Sequence, residues 1–327
     1  MELIGGSRGR RLRVLAAAAL SSLGAACAGD VIGDFPSPPP PAFTATPSAE
    51  ADHGILAEIP VDGSPCFLAE AADRIWVSAF DGDELLEIDP ETNELVGEHR
   101  IRGGPCGMLL RDGTLWIETG TGLAAFDPAR GEEIDRIRIP GGVFGVRDTP
   151  TGFWGVAGQG EQVLQIDPDT REVVGRVEVD GPLFGLAFAR GQIWLGTRDG
   201  LVRIDPQTRT VVDTIDLDRF EPQSLAIDGD VMWVSSGIEG SVLRFDLRAM
   251  RERDRLEVDS SLFGGIVIGD SYWVSGNDGT IFQLDADSGD VVDQIDLVGF
   301  GPMPGDGDLW TVDFISNSVF RLDEPAE

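Results

Sequence analysis

Imidazole and thiol are scarce in this chain. Two histidines, His53 and His99, and three cysteines, Cys27, Cys66 and Cys106, stand among 57 acidic side chains. His53 falls in a proline-rich stretch, and His99 in a segment that reads as an outer strand. The body of the chain has no Gly-x-Ser-x-Gly, HExxH or Walker-type signature. Carboxylates are the abundant chemistry. Asp285-Ala286-Asp287-Ser288-Gly289-Asp290 spaces its acids as a calcium loop does. The same spacing suits a solvated turn held by Asx hydrogen bonds, and so does Asp81-Gly82-Asp83. No catalytic residue, metal-ligand set or cofactor is assigned.

What positions these groups is a repeat. The seven tryptophans, Trp76, Trp116, Trp154, Trp194, Trp233, Trp273 and Trp310, are spaced by 40, 38, 40, 39, 40 and 37 residues. A second marker keeps step: Asp89, Asp127, Asp167, Asp205, Asp246, Asp285 and Asp323, each after Ile, Phe or Leu. Two markers at one period of about 39 residues belong to propeller blades. One unit reads strand by strand: Phe184–Ala189, Gln192–Gly196 with Trp194, Leu201–Ile204, then Thr210–Leu217 after the turn Asp205-Pro206-Gln207-Thr208. The last unit stops at Asp323 without its fourth strand. Residues 54–62 match that strand and precede the first unit. The fold predicted is all-β: a seven-bladed β-propeller closed by an N-terminal strand that completes the last blade.

Cys66 and Cys106 each follow a proline and sit ten residues before a tryptophan. They are equivalent positions on neighbouring inner strands, where Cα atoms approach disulfide range. A Cys66–Cys106 disulfide is expected, with two buried free thiols as the alternative. The same position elsewhere holds Phe144, Phe184, Gln223 and Phe263, with Met303 aligned to it in the shortened last unit. These residues are expected to line an apolar channel mouth, rimmed from the turns by Asp81, Glu118, Arg198, Asp278 and Asp313. The alternative is that they plug the channel as core.

The units, quoted as Asp112-Gly113-Thr114-Leu115-Trp116-Ile117, Gln192-Ile193-Trp194-Leu195 and Ile204-Asp205-Pro206-Gln207-Thr208, resemble YVTN-type and virginiamycin B lyase-like propeller repeats over residues 54–323. The resemblance implies the architecture and says little of activity. Catalysis in the lyase-like relatives depends on a histidine and a glutamate at the top of the channel with a divalent metal. No position here carries that histidine.

Residues 1–26 read as a signal peptide, with Arg8, Arg10, Arg11 and Arg13 before an alanine-rich apolar run. Leu23-Gly24-Ala25-Ala26-Cys27 resembles the lipobox of bacterial lipoproteins, although Gly24 stands where that family has an aliphatic residue. The resemblance implies a lipid on Cys27; a plain secretory signal is the alternative. Residues 28–53 hold Pro36, Pro38, Pro39, Pro40, Pro41 and Pro47 and cannot bury a core. Extended at ~3.1 Å per residue, these 26 residues reach about 80 Å. The domains expected are the signal peptide 1–26, the lipidated cysteine and linker 27–53, and the propeller 54–327. The location expected is outside the cytoplasm, attached to the bacterial membrane by the lipid alone.

A formal charge of -32 argues against a nucleic-acid partner. The function expected is a non-catalytic binding or scaffold module for a protein, peptide or small molecule. The alternative is a metal-dependent lyase or hydrolase of the lyase-like class.

Overall fold

The computed structural model describes residues 54–323 apart from 159, 259, 298, 300 and 301. The signal segment 1–26, Cys27, the linker 27–53 with His53, and residues 324–327 lie outside the described residues.

Seven antiparallel four-stranded sheets form the body, each ordered from inner to outer strand in chain order except the last. Blade 4 runs Leu183–Ala189, Gln192–Thr197, Gly200–Asp205 and Thr210–Asp216. These bounds match the sequence reading to within a residue or two, because turn residues mark every edge. Between inner and second strands, Arg190 (φ 51°) and Gly191 (φ 76°) are both left-handed. That is a two-residue type I′ hairpin, whose twist suits the flanking strands.

Between third and outer strands, the Asp205 carboxylate accepts the N–H groups of Gln207 (2.8 Å) and Thr208 (3.0 Å). Asp89, Asp127, Asp167 and Asp246 do the same in their blades. Asp285 accepts the N–H of Ser288 at 2.7 Å. The acidic run at 285–290 is therefore the sixth copy of one Asx turn. Amide donors hold the Asp167, Asp205, Asp246 and Asp285 carboxyls below their usual range.

The inner strands make a closed ring. Pro65–Ala71, Met108–Arg111, Val143–Thr149, Leu183–Ala189, Pro222–Asp228, Leu262–Ile268 and Met303–Gly305 each neighbour the next, and the last neighbours the first. Each tryptophan stands on a second strand and packs forward onto the following blade. Trp154 lies with Leu186 and Leu195, Trp194 with Leu225 and Val234, and Trp310 with Leu68 and Val77. Six indoles are under 2% exposed. Truncating one to alanine costs about 3–5 kcal/mol, because a core this dense does not collapse into the space.

Polar latches join the rims of neighbouring blades. The residue opposite each tryptophan on the third strand is polar in six blades, Glu87, Gln165, Arg203, Arg244, Gln283 and Arg321, and three of these reach the next blade. Arg244 lies 5.4 Å over the Trp233 ring, pairs both oxygens of Asp254, and donates to the carbonyls of Ala286 and Asp287 in the next blade. Arg321 lies 5.2 Å over Trp310 and donates to the Pro90 carbonyl and Asn93 of blade 1. Gln165 accepts from Arg209 of the following blade at 2.6 Å.

The ring closes as expected. Ile55–Pro60 pairs with Ser318–Leu322, so the N-terminal strand is the outer strand of blade 7.

Candidate functional site

One face of the ring gathers the starts of the inner strands and the turns between second and third strands. A hydrogen bond ties the two together in five blades: Phe80 N to Ser64 O, Gly120 to Gly103, Gly158 to Gly142, Gly237 to Glu221 and Asn277 to Ser261. Just inside, a β-bulge interrupts the inner strand of blades 1, 3, 4, 5 and 6. The bulge turns the first side chains of the strand away from the regular alternation.

Phe144, Phe184, Gln223 and Phe263 each occupy the second position of an inner strand and are half-buried. Cys66 takes the same position, and Cys106 just precedes its strand. The two are joined by a disulfide, with Cα atoms 5.2 Å apart. This agrees with their equivalence in the repeat and fastens blade 1 to blade 2 beside the mouth.

Met303 does not belong to this set. It pairs opposite Trp310, whereas the mouth residues sit ten before their tryptophans. Its equivalents are Ala69 and Ala187, opposite Trp76 and Trp194. Met303 packs against the core between the last and first blades. The true equivalent, Phe300, lies outside the described residues.

The rim is also redrawn. Asp81, Arg198 and Asp278 are exposed on turns, as expected. Asp81 accepts the Ser64 hydroxyl at 2.5 Å. Arg198 draws the Glu221 carboxyl of the next blade downward, against the larger upward push of burial. Glu118 and Asp313, in contrast, are each only 8% exposed and end second strands rather than rim the mouth. Asp313 caps its own turn, accepting the N–H groups of Ile315 (2.8 Å) and Ser316 (3.0 Å).

Glu118 reaches across to blade 3. Its carboxylate accepts the N–H of Val146 at 2.6 Å and of Gly145 at 3.1 Å, two amides freed by the bulge. It passes so close over Gly107 that a Cβ there would stand 2.4 Å from Oε2. Burial pushes its pKa up, and the two amides and nearby Arg147 pull it part of the way back.

Two features of this face have little sequence signal. Asp83 accepts the N–H groups of Gly103 (2.8 Å) and Gly104 (2.9 Å), which lower its pKa and steady the approach to Cys106. The turn-like Gly82-Asp83 pair is the only hint in the sequence. Ile238 and Ile315 are 60% and 48% exposed on turns of this same face.

His99 sits far from the mouth, on the outer strand of blade 1. Its ring contacts Glu87 (3.1 Å) and the Gly131 carbonyl (2.8 Å) and lies against Trp76 and Phe126. It serves the seam between blades 1 and 2. Among the described residues, no three His, Cys, Asp or Glu side chains gather as a metal-ligand set.

No protein-family model and no curated protein matches the sequence. Among solved structures, the fold is similar to the computationally designed Ika8 protein, at a TM-score of 0.63 and 13% identity over 81% of this chain and 99% of that one. The class defined by fold and topology is thus the seven-bladed β-propeller. At that identity the likeness speaks to fold alone.

Proposed function

We propose that this chain is an exported propeller, tethered to the bacterial membrane through a lipid on Cys27, whose mouth face binds a protein, peptide or small molecule rather than catalysing a reaction. The observation that carries the reading is the half-buried group Phe144, Phe184 and Phe263 at the starts of inner strands, with exposed Ile238 and Ile315 on the turns around it. Apolar side chains held on rigid strands and left partly open are what a binding face needs. The lipobox-like Cys27 and the proline-rich spacer support the tether, and the YVTN- and lyase-like repeats supply the scaffold. The sole described imidazole is committed to the seam between blades 1 and 2, which does not favour the lyase-like reading.

Crosslinking capture from intact membranes tests this. The wild type is compared with a Phe144→Glu, Phe184→Glu, Phe263→Glu variant whose circular dichroism and melting match it. A partner lost only from the variant supports binding at the mouth. Identical partners for both proteins sink the mouth as a protein-binding site.

A further inference from the structure

Seven residues stand opposite the seven tryptophans on the inner strands. In six blades they are Ala69, Leu109, Ala187, Ala226, Ile266 and Met303, all buried or half-buried. In blade 3 the residue opposite Trp154 is Arg147. It is exposed to solvent, yet enough protein surrounds it to draw its guanidinium below the ordinary value, with Glu118 opposing that shift. Arg147 thus stands on the inner ring, on the same strand as Phe144, with its side chain open to solvent.

Arg147 forms no ion pair among the described residues; Nη1 donates to the carbonyl of its neighbour Val146 at 3.1 Å. The carboxylate that acts on it, Glu118, has both oxygens engaged by the Gly145 and Val146 amides. Asp148, the next residue on the strand, is paired with Arg111 at 2.7 Å. In a chain carrying 57 acidic side chains, an inner-strand arginine left without a carboxylate keeps its remaining donors for one from outside. Phe144 lies three residues nearer the mouth on the same strand, at most about 10 Å along it at ~3.3 Å per residue, with the bulge between the two.

We propose that the axial channel is a carboxylate site: Arg147 pairs the acid group of a ligand whose apolar body lies against Phe144 and Phe184 at the mouth. The ligand class is an amphipathic carboxylate such as a medium-chain fatty acid. This deepens the binding reading and rests on it for the way in.

Binding of sodium octanoate to the full chain is measured by calorimetry and thermal shift, with 1-octanol and inorganic phosphate as comparison probes. Octanoate is expected to bind the wild type at least tenfold tighter than Arg147→Gln, with Arg147→Lys in between. Both other probes are expected to bind at least tenfold more weakly than octanoate. Arg147→Gln is expected to fold, since six equivalent positions are uncharged; near-ultraviolet dichroism checks this. Equal octanoate affinity in wild type and Arg147→Gln overturns the arginine anchor. If the phenylalanine variant then loses octanoate, the mouth reading survives alone. Phosphate binding as tightly as octanoate overturns the apolar half of the ligand. No octanoate binding by the wild type overturns the carboxylate site, while the capture experiment still decides the mouth.

Discussion

Two seams of the ring are fastened in opposite ways. Between blades 1 and 2 the lock is covalent and sits at the inner edge, where Cys66 and Cys106 join beside the mouth. Between blades 7 and 1 the lock is non-covalent and sits at the outer edge, where Arg321 reaches Pro90 and Asn93 after Ile55–Pro60 has completed blade 7. The ring needs closing only once, and the strand does it by burying Ile59 and Val61 in a core shared with Trp310. The disulfide adds rigidity where the proposed binding face begins. Closure is thus a packing problem at the rim, and geometry of the mouth is a bonding problem at the axis.

The largest effect should come from the closing strand. Ile59 is 5% exposed, and Ile59→Asp puts an unpaired carboxylate there. A loss of about 5 kcal/mol is expected in denaturant unfolding. A loss under about 1 kcal/mol would show that blade 7 closes without this strand. Next is the disulfide. A bridge across 40 residues contributes about 4 kcal/mol by loop entropy. Reduction, or the Cys66→Ser, Cys106→Ser variant, should lower the melting temperature by ~10 °C. An unchanged melt would make the bridge irrelevant to stability.

An ordinary seam gives the third measure. Arg244→Ala strips the latch between blades 5 and 6 and should cost about 3 kcal/mol. Asp254→Ala removes only its partly exposed partner and should cost about 1 kcal/mol. Equal losses would mean that the ion pair, not the reach to Ala286 and Asp287, holds that seam.

The smallest effect is in pH. The Glu118 pKa is raised in the fold, so its share of stability is complete below the ordinary carboxylate range and is lost as pH rises through the folded value. Glu118→Gln has no such loss. The stability of the wild type relative to the variant should therefore fall as pH rises above the ordinary carboxylate range, and a rise would overturn the assignment.

The blades were legible because one residue type marks each: a tryptophan at a period no helix or loose loop sustains, and an aspartate that starts each turn. The closing strand was legible as a fourth strand missing at one end and spare at the other. The site was harder to read. Glu118 looks like a rim residue when counted from Trp116, but the second strand runs to Thr119 and keeps it buried. Met303 looks like a mouth residue because the last unit is short and apolar on both sides; only its pairing with Trp310 fixes its place. Arg147 was invisible because a charge on a strand reads as an outward face, and nothing in local sequence says that this strand belongs to the inner ring.

The backbone ends of the body meet: the Asp323 N–H donates to the Gly54 carbonyl at 3.1 Å. In topological language the propeller is a circle whose cut falls inside a blade rather than between two. A chain spliced from 323 back to 54 and reopened at the Asp167 turn would trace the same circle. Its new termini would lie on the outer rim of blade 3, across the ring from the present pair.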